Sequence, residues 1–393
     1  MSWETVKLGD IATCIQPGPF GSQLHNSDYS ESGTPIIMPK DMIDGKISHS
    51  NLIFVGEEHT KRLCRHQVHA GNLMVARKGD VRKCVFITEN EEGWMTGSDC
   101  LKVALNEGTC YPRFIYYQLR SPFIGRWLEK ISIGATMPSI NTGLLSSIEL
   151  VLPPLKEQKQ IADILSAYDN LIENNQKQIK LLEEAAQRLY KEWFVDLRFP
   201  GHENSPIVDG VRKGWERKRL VDIADVQYGY AFDGSLFNST GQGTPIIRIR
   251  NIPSGTTDDY TTEKADESYL IHNGEIVVGM DGEFHINSWA GNDSYLVQRS
   301  CCFKPHNPNM RGWLLWAIYE PIKFFEKTVV GATVAHLGKK HIDTIEILTA
   351  PEQYYEPFAI IFNKRQTLLN QNQKLAEARD RLLPKLMSGE VKV

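Results

Sequence analysis

The chain has 393 residues, 41% apolar and 23% charged, which is ordinary globular material and enough for two or three domains. A net charge of −4 argues against a protein that grips polyanions with its whole surface, and no apolar run approaches the length of a bilayer span. The start lacks a signal peptide's apolar core and the seven cysteines contain no Cys-x-x-Cys pair, so a cytoplasmic protein with reduced thiols is expected.

The chain opens on a short amphipathic stretch, with Trp3, Leu8, Asp10, Ile11 and Ala12. Short β-rich segments at 35–38, 52–55, 73–76 and 85–87 read as strands, and 112–130 as a helix carrying Phe114, Tyr117, Gln118 and Phe123. The clearest periodicity follows Pro153-Pro154. Ile161, Leu165, Tyr168, Ile172, Asn175, Ile179, Leu182, Ala186, Leu189 and Trp193 step alternately by four and three, the seam of a coiled coil. After a link at 199–206, strands are predicted at 246–250, 276–279 and 295–297 and a helix at 310–328. A second seam runs through Phe358, Phe362, Arg365, Leu369, Asn372, Ala376, Arg379, Leu383 and Leu386. It departs from the ideal at its two arginines, for which the stripe Leu368, Leu375, Leu382 partly compensates.

The second half repeats the first. Ile133-Gly134-Ala135-Thr136 matches Val330-Gly331-Ala332-Thr333, Ile148-Glu149 matches Ile345-Glu346, and both blocks lead into a long helix at one offset of about 200 residues. At the front, Trp3 to Ala12 matches Trp215, Leu220, Asp222, Ile223 and Ala224, and Gly33-Thr34-Pro35-Ile36-Ile37 matches Gly243-Thr244-Pro245-Ile246-Ile247. The middles differ, which suits one scaffold carrying two recognition surfaces. The division read from this is a domain at 1–152, a long helix at 153–198, a linker at 199–206, a second domain at 207–349 and a second helix with the tail at 350–393. The class is α+β: two mixed α/β domains separated by two long helices in an antiparallel coiled coil, with an internal pseudo-two-fold. Asn175 and Asn372 hold equivalent seam positions; a seam asparagine costs stability but fixes register, so the two are expected near one another. A helix of about 33 residues spans roughly 50 Å, longer than the ~34 Å of one DNA turn.

These strings, with Pro153-Pro154-Leu155-Lys156-Glu157-Gln158, Leu382-Leu383-Pro384-Lys385-Leu386-Met387-Ser388-Gly389-Glu390 and above all Glu192-Trp193-Phe194-Val195-Asp196-Leu197-Arg198-Phe199-Pro200-Gly201-His202, resemble the specificity (S) subunits of type I restriction-modification systems over nearly the whole chain. The resemblance implies two target-recognition domains, each reading half of a split sequence in double-stranded DNA, with the helices as a ruler. It implies two methyltransferase (M) subunits as partners, and restriction/translocase (R) subunits in the full complex. No cofactor is expected in this chain; S-adenosylmethionine, ATP and Mg belong on the partners. Ala350-Pro351-Glu352-Gln353-Tyr354-Tyr355 departs from the first helix's start, so the symmetry is expected to fail there first.

The residues themselves offer little catalytic chemistry. No Asn/Asp-Pro-Pro-Tyr string and no phosphate-cradling Gly-x-x-x-x-Gly-Lys-Ser/Thr loop occurs. Asp209 with Glu216 and Lys218 resembles nuclease spacing but reads more simply as a solvated domain entry; Cys64, His66 and His69 lack a fourth ligand nearby, and no metal is expected. Arginine reads guanine and asparagine reads adenine through paired hydrogen bonds. The candidates for DNA contact are Gly18, Gly21 and Ser22, Lys40, Arg77, Lys78, Arg82 and Lys83 in the first domain, and Arg248, Arg250, Asn251, His285, Lys339 and Lys340 in the second. Asn175, Asn372, Trp193 and Phe194 are candidates for helix register and partner docking. Where the first domain offers Arg77-Lys78 the second offers Asp281-Gly282-Glu283, so an asymmetric bipartite target is expected. A self-contained nuclease or methyltransferase and a coiled-coil adaptor that never meets nucleic acid remain as rivals.

Overall fold

The computed structural model describes residues 3–134, 137–328 and 335–393. Of the duplicated block, Ala135, Thr136 and 330–334 lie outside the described residues. The chain divides into two compact units whose limits fall inside both long helices: Met1–Asp169 with Ala378–Val393, and Asn170–Glu377.

Period-two alternation builds the main sheet of the first unit. Its antiparallel strands run in the order Ala12–Pro17, Cys100–Leu105, Leu73–Ala76, Cys84–Phe86. Leu73, Val75, Leu101 and Val103 join a core with Phe114, Tyr117, Ile161, Leu165, Leu383 and Leu386, whereas Met74, Ala76 and Cys100 join Ile37, Met42 and Val68 on the other face. A smaller sheet, ordered Met95–Thr96, Thr34–Ile37, Ile53–Val55, Tyr29–Ser30, contains one parallel pair, Met95 opposite Ile36. Glu4–Lys7 pairs antiparallel with Glu149–Leu152, which brings the unit's first strand to the foot of the long helix.

The second unit repeats this wiring although its middle sequence differs. Ala224–Tyr228, Ser300–Pro305, Ile276–Gly279 and Ile286–Ser288 follow the same order. The parallel pair recurs as Ile246 opposite Tyr295, and Glu216–Arg219 pairs with Glu346–Thr349. Cys301 and Cys302 fall into the cores on opposite faces of the sheet, as alternation requires.

Three predicted elements end differently from their sequence reading. The helix at 112–130 is two, Pro112–Leu119 and Pro122–Ile131, because Ser121 caps a new start and accepts from Ile124 N. The helix at 310–328 divides into Arg311–Ala317 and Tyr319–Thr328, since Pro321 has no N–H for the preceding turn. The strand at 246–250 is Thr244–Ile247, after which Asn251 Oδ1 accepts from Arg248 N and folds the chain into a turn.

The long helices are Leu155–Tyr190, extended by a π-turn at Lys191–Val195, and Glu356–Met387. Within each unit they run antiparallel. In the first, Ile161 and Leu165 share a core with Leu383 and Leu386; in the second, Trp193 meets Phe358 edge-on at 6.1 Å. The seam holds: Ile161, Leu165, Asn175, Ile179 and Ala186 are buried. The two arginines that seemed to spoil the second seam cross it to carboxylates. Arg379 Nη1 lies 2.6 Å from Asp169 in the first unit, and Arg365 Nε 2.7 Å from Glu183 in the second. Slipping either helix by a heptad would part each arginine from its acid. Asn175 Nδ2 reaches Gln371 at 3.5 Å rather than Asn372, whose buried Oδ1 has no hydrogen-bond partner among the described residues.

The helix starts differ where the sequences do. Gln158 is buried, donating to Pro153 O and accepting from Tyr111 N, both at 2.8 Å, and the first helix begins at Leu155. In the second unit Tyr355 hydroxyl accepts from Ala350 N, a turn at Glu352–Tyr354 intervenes, and the helix begins only at Glu356.

Candidate nucleic-acid interface

In the first unit the two glycine-flanked loops singled out from sequence line one cleft. Phe20, Gly21, Arg77, Lys78, Ser98 and Asp99 are among the walls of a space of about 510 Å³. Gly18 makes the approach possible: its N donates to Cys100 O at 3.1 Å, and a Cβ there would sit 2.0 Å from Gly97 O. Gly21 holds a φ of +59° with open space around it, so backbone freedom is its requirement. Ser22 is exposed beside it. The Arg77 guanidinium lies 5.5 Å from the centre of the exposed Phe20 ring, a cation–π arrangement at the cleft's lip. Lys78 pairs with Asp99 at 3.0 Å.

A second groove of about 520 Å³ holds Arg82 and Lys83 with Arg120 and Arg126, facing Asp44 and Glu129. Arg82 forks onto Asp80 at 2.9 and 3.3 Å and holds that carboxyl below its ordinary range; it also reaches Glu129 at 3.2 Å. Lys83 Nζ donates to Pro39 O at 2.9 Å, and its neighbour in space, the exposed Lys40, donates to Asn51 O at 3.0 Å. The sequence candidates of the first unit therefore fall into two groups rather than one.

In the second unit, Arg250 stands where Lys40 stands in the first, in the turn after the Thr-Pro-Ile-Ile strand. Its fork is taken by Asp259 at 3.1 and 2.5 Å, and Asn251 spends its amide on Arg248 N and Asp259. Asn251 thus acts as a turn cap in this arrangement. Arg248 lies 5.5 Å from the centre of the Phe237 ring. His285 is half-buried, 3.5 Å from Glu283. Lys339 and Lys340 are exposed in the first turn of Lys339–Ile342.

Of the two acids in the segment read from sequence as acidic, Glu283 is exposed and Asp281 is engaged. Asp281 is engaged by Arg299 Nη1 at 2.9 Å and by His336 Nδ1 at 2.5 Å. Arg299, His336 and Asp99 were missed because only strand register brings them to the loop, and nothing local marks them. Among the described residues no group of three or more His, Cys, Asp or Glu could hold a metal ion; His66 donates from Nδ1 to Pro17 O at 3.0 Å, His69 turns to Glu92, and Glu216 pairs with Lys218.

Phe194 is buried in the second unit's core against Tyr190, Trp215 and Trp313, and Trp193 packs on Tyr354. The aromatic string after the first helix therefore stitches that helix to the second unit, and Phe194 offers no surface to a partner. Among the described residues no helix is long and apolar enough to cross a membrane.

The family model of the type I restriction modification DNA specificity domain matches residues 1–184 and again 212–371. The type I restriction enzyme MjaIX specificity subunit of Methanocaldococcus jannaschii is 25% identical over 422 residues, covering 100% of this chain and 94% of that protein. The HindI specificity subunit of Haemophilus influenzae is 22% identical over 466 residues, covering 99% of each. A crystal structure of a type I restriction-modification S subunit from M. genitalium shares the fold, with a TM-score of 0.57 at 17% identity over 98% of this chain and 96% of that one.

Proposed function

We propose, for a chain that belongs to the family of type I restriction-modification DNA specificity proteins, that its two units are separate readers of the two halves of an asymmetric bipartite DNA target. One observation carries the reading: the same main-sheet strand order and the same main-chain frame occur twice, with different side chains in the loops at the sheet's edge. Repeated wiring gives each reader the same approach to a duplex, and divergent loops give each a different sequence. The long helices set the gap between half-sites, which helix length alone puts at about one to one and a half turns.

The chain is non-catalytic in this account. Two M subunits supply S-adenosylmethionine binding and extrude and methylate the adenine; R subunits supply ATP- and Mg-dependent translocation and cleavage. With a net charge of −4, affinity depends on focusing cations on the two recognition surfaces and on charge borrowed from those partners.

Methylome sequencing of the host, with and without this gene, tests the reading. A bipartite methylated motif that disappears on deletion is expected; an unchanged methylome from a host in which the M subunit is expressed would refute it.

A further inference from the structure

The main sheet of each unit ends in an ion pair, and the two pairs have opposite polarity. Ala76 faces Cys100 in the first ladder, and Gly279 faces Ser300 in the second. Two residues beyond Ala76 comes Lys78, and one before Cys100 comes Asp99, 3.0 Å apart. Two residues beyond Gly279 comes Asp281, and one before Ser300 comes Arg299, 2.9 Å apart. The backbone around them is the same. Arg77 N donates to Asp99 O as Met280 N does to Arg299 O, and Gly79 N donates to Pro138 O as Gly282 N does to Ala335 O.

Although the cation has changed strands, it remains the more exposed partner. Lys78 is 45% exposed against 34% for Asp99, and Arg299 is 68% exposed against 16% for Asp281. The largely covered Asp281 also accepts from His336, so two donors share its carboxylate while most of the Arg299 side chain stays exposed. Arg299 also holds a φ of +67°, a left-handed backbone that is strained for a residue with a side chain, and Asp99 is not among the residues with positive φ.

We infer that Arg299 is a specificity-determining residue of the second half-site, presenting its fork to a base edge from the place where the first reader presents Lys78, and that Asp281 and His336 position it. The inference rests on the DNA-reading function proposed above. A guanidinium fork matches two acceptors on guanine, whereas a lysine ammonium is a point charge, so the two readers differ in chemistry at one shared point of the frame.

The test uses the chain assembled with its methyltransferase subunits and duplexes carrying the motif found in the methylome, with either half-site scrambled. Arg299→Ala should lose about tenfold of its discrimination between the intact and scrambled second half-site while leaving the first half-site unchanged. The double reversal Asp281→Lys with Arg299→Asp rebuilds the first unit's polarity and keeps the ion pair; it should melt like the parent and still fail to discriminate the second half-site. Recovery of discrimination by the double reversal would make the pair merely structural and overturn the inference. So would an equal loss by Arg299→Ala on every duplex, which marks a phosphate contact. Failure of the unaltered complex to discriminate either half-site would instead overturn the DNA-reading function.

Discussion

Each unit fastens its pair of long helices to its own sheet or helix layer with a seam arginine, yet the fastenings share no residue type beyond that arginine. In the first unit Arg379 takes Asp169, which Tyr117 also holds through its hydroxyl at 2.6 Å. In the second, the buried Arg365 takes Glu183, Ser288 Oγ and Asn287 Oδ1 with all three nitrogens, at 2.6–2.7 Å. The first is one ion pair across the seam, the second a network of three bonds on a buried guanidinium whose acid, Glu183, is 36% exposed. The positions equivalent to Arg365 and Arg379 in the first helix, seven residues before and after the matched asparagine, are Tyr168 and Leu182. Duplication kept the requirement for a fixed antiparallel register and let each half meet it differently.

The largest expected effect probes that contrast directly. Arg365→Ala removes three hydrogen bonds from a buried guanidinium and should cost about 3 kcal/mol in urea unfolding of the second unit. Arg379→Ala, which gives up the single bond to Asp169, should cost about 1–2 kcal/mol. Equal losses would erase the distinction between network and pair.

Glycine substitutions should show the opposite, a likeness between the units. A Cβ on Gly18 would meet Gly97 O at 2.0 Å, and one on Gly229 would meet Val297 O at 2.1 Å. Alanine at either should cost about 1–3 kcal/mol and weaken discrimination only at its own half-site. A loss at both half-sites from one substitution would break the independence of the readers.

Acid should separate the units again. Burial, and then the Arg65 and Lys102 cations, push the His66 imidazole below its ordinary 6.5, against the opposing pull of its hydrogen bond to Pro17 O. The folded first unit thus favours the neutral ring. Its contribution to stability is complete above 6.5 and is lost as pH falls below 6.5 toward the folded value. A melt from pH 7.5 to 5 should show the first unit weakening, and His66→Gln should flatten that slope.

The smallest effect lies at the seam asparagine. Asn175→Leu replaces one long hydrogen bond with apolar contact and should change stability by no more than about 1 kcal/mol, with a stabilising sign. A loss well beyond that would give Asn175 a larger structural part than register.

Much of this was legible before the structure. The heptad seam, the strand at Leu73–Ala76 and the break of symmetry after Ala350 follow from periodicity and from local string differences. The seam arginines read as defects because their acids lie on the other helix, a long-range pairing that one-dimensional pattern does not carry. The partners of Asp281, Arg299 and His336, were hidden for the same reason, since they lie 18 and 55 positions away. Gly18 and Arg77 could be singled out as candidates because loop glycines and cations carry a local signature, whereas the capping part of Asn251 depends on a turn that the strand pattern hid.

The central claim is that two readers recognise two half-sites independently. Residues 207–349 exchanged for the corresponding segment of a relative with a different known target, followed by methylome sequencing of cells carrying the chimera and its M subunit, tests it most directly. The account predicts a new motif in which one half is replaced and the other half is unchanged. Retention of the parent motif, or a change in both halves, would contradict it.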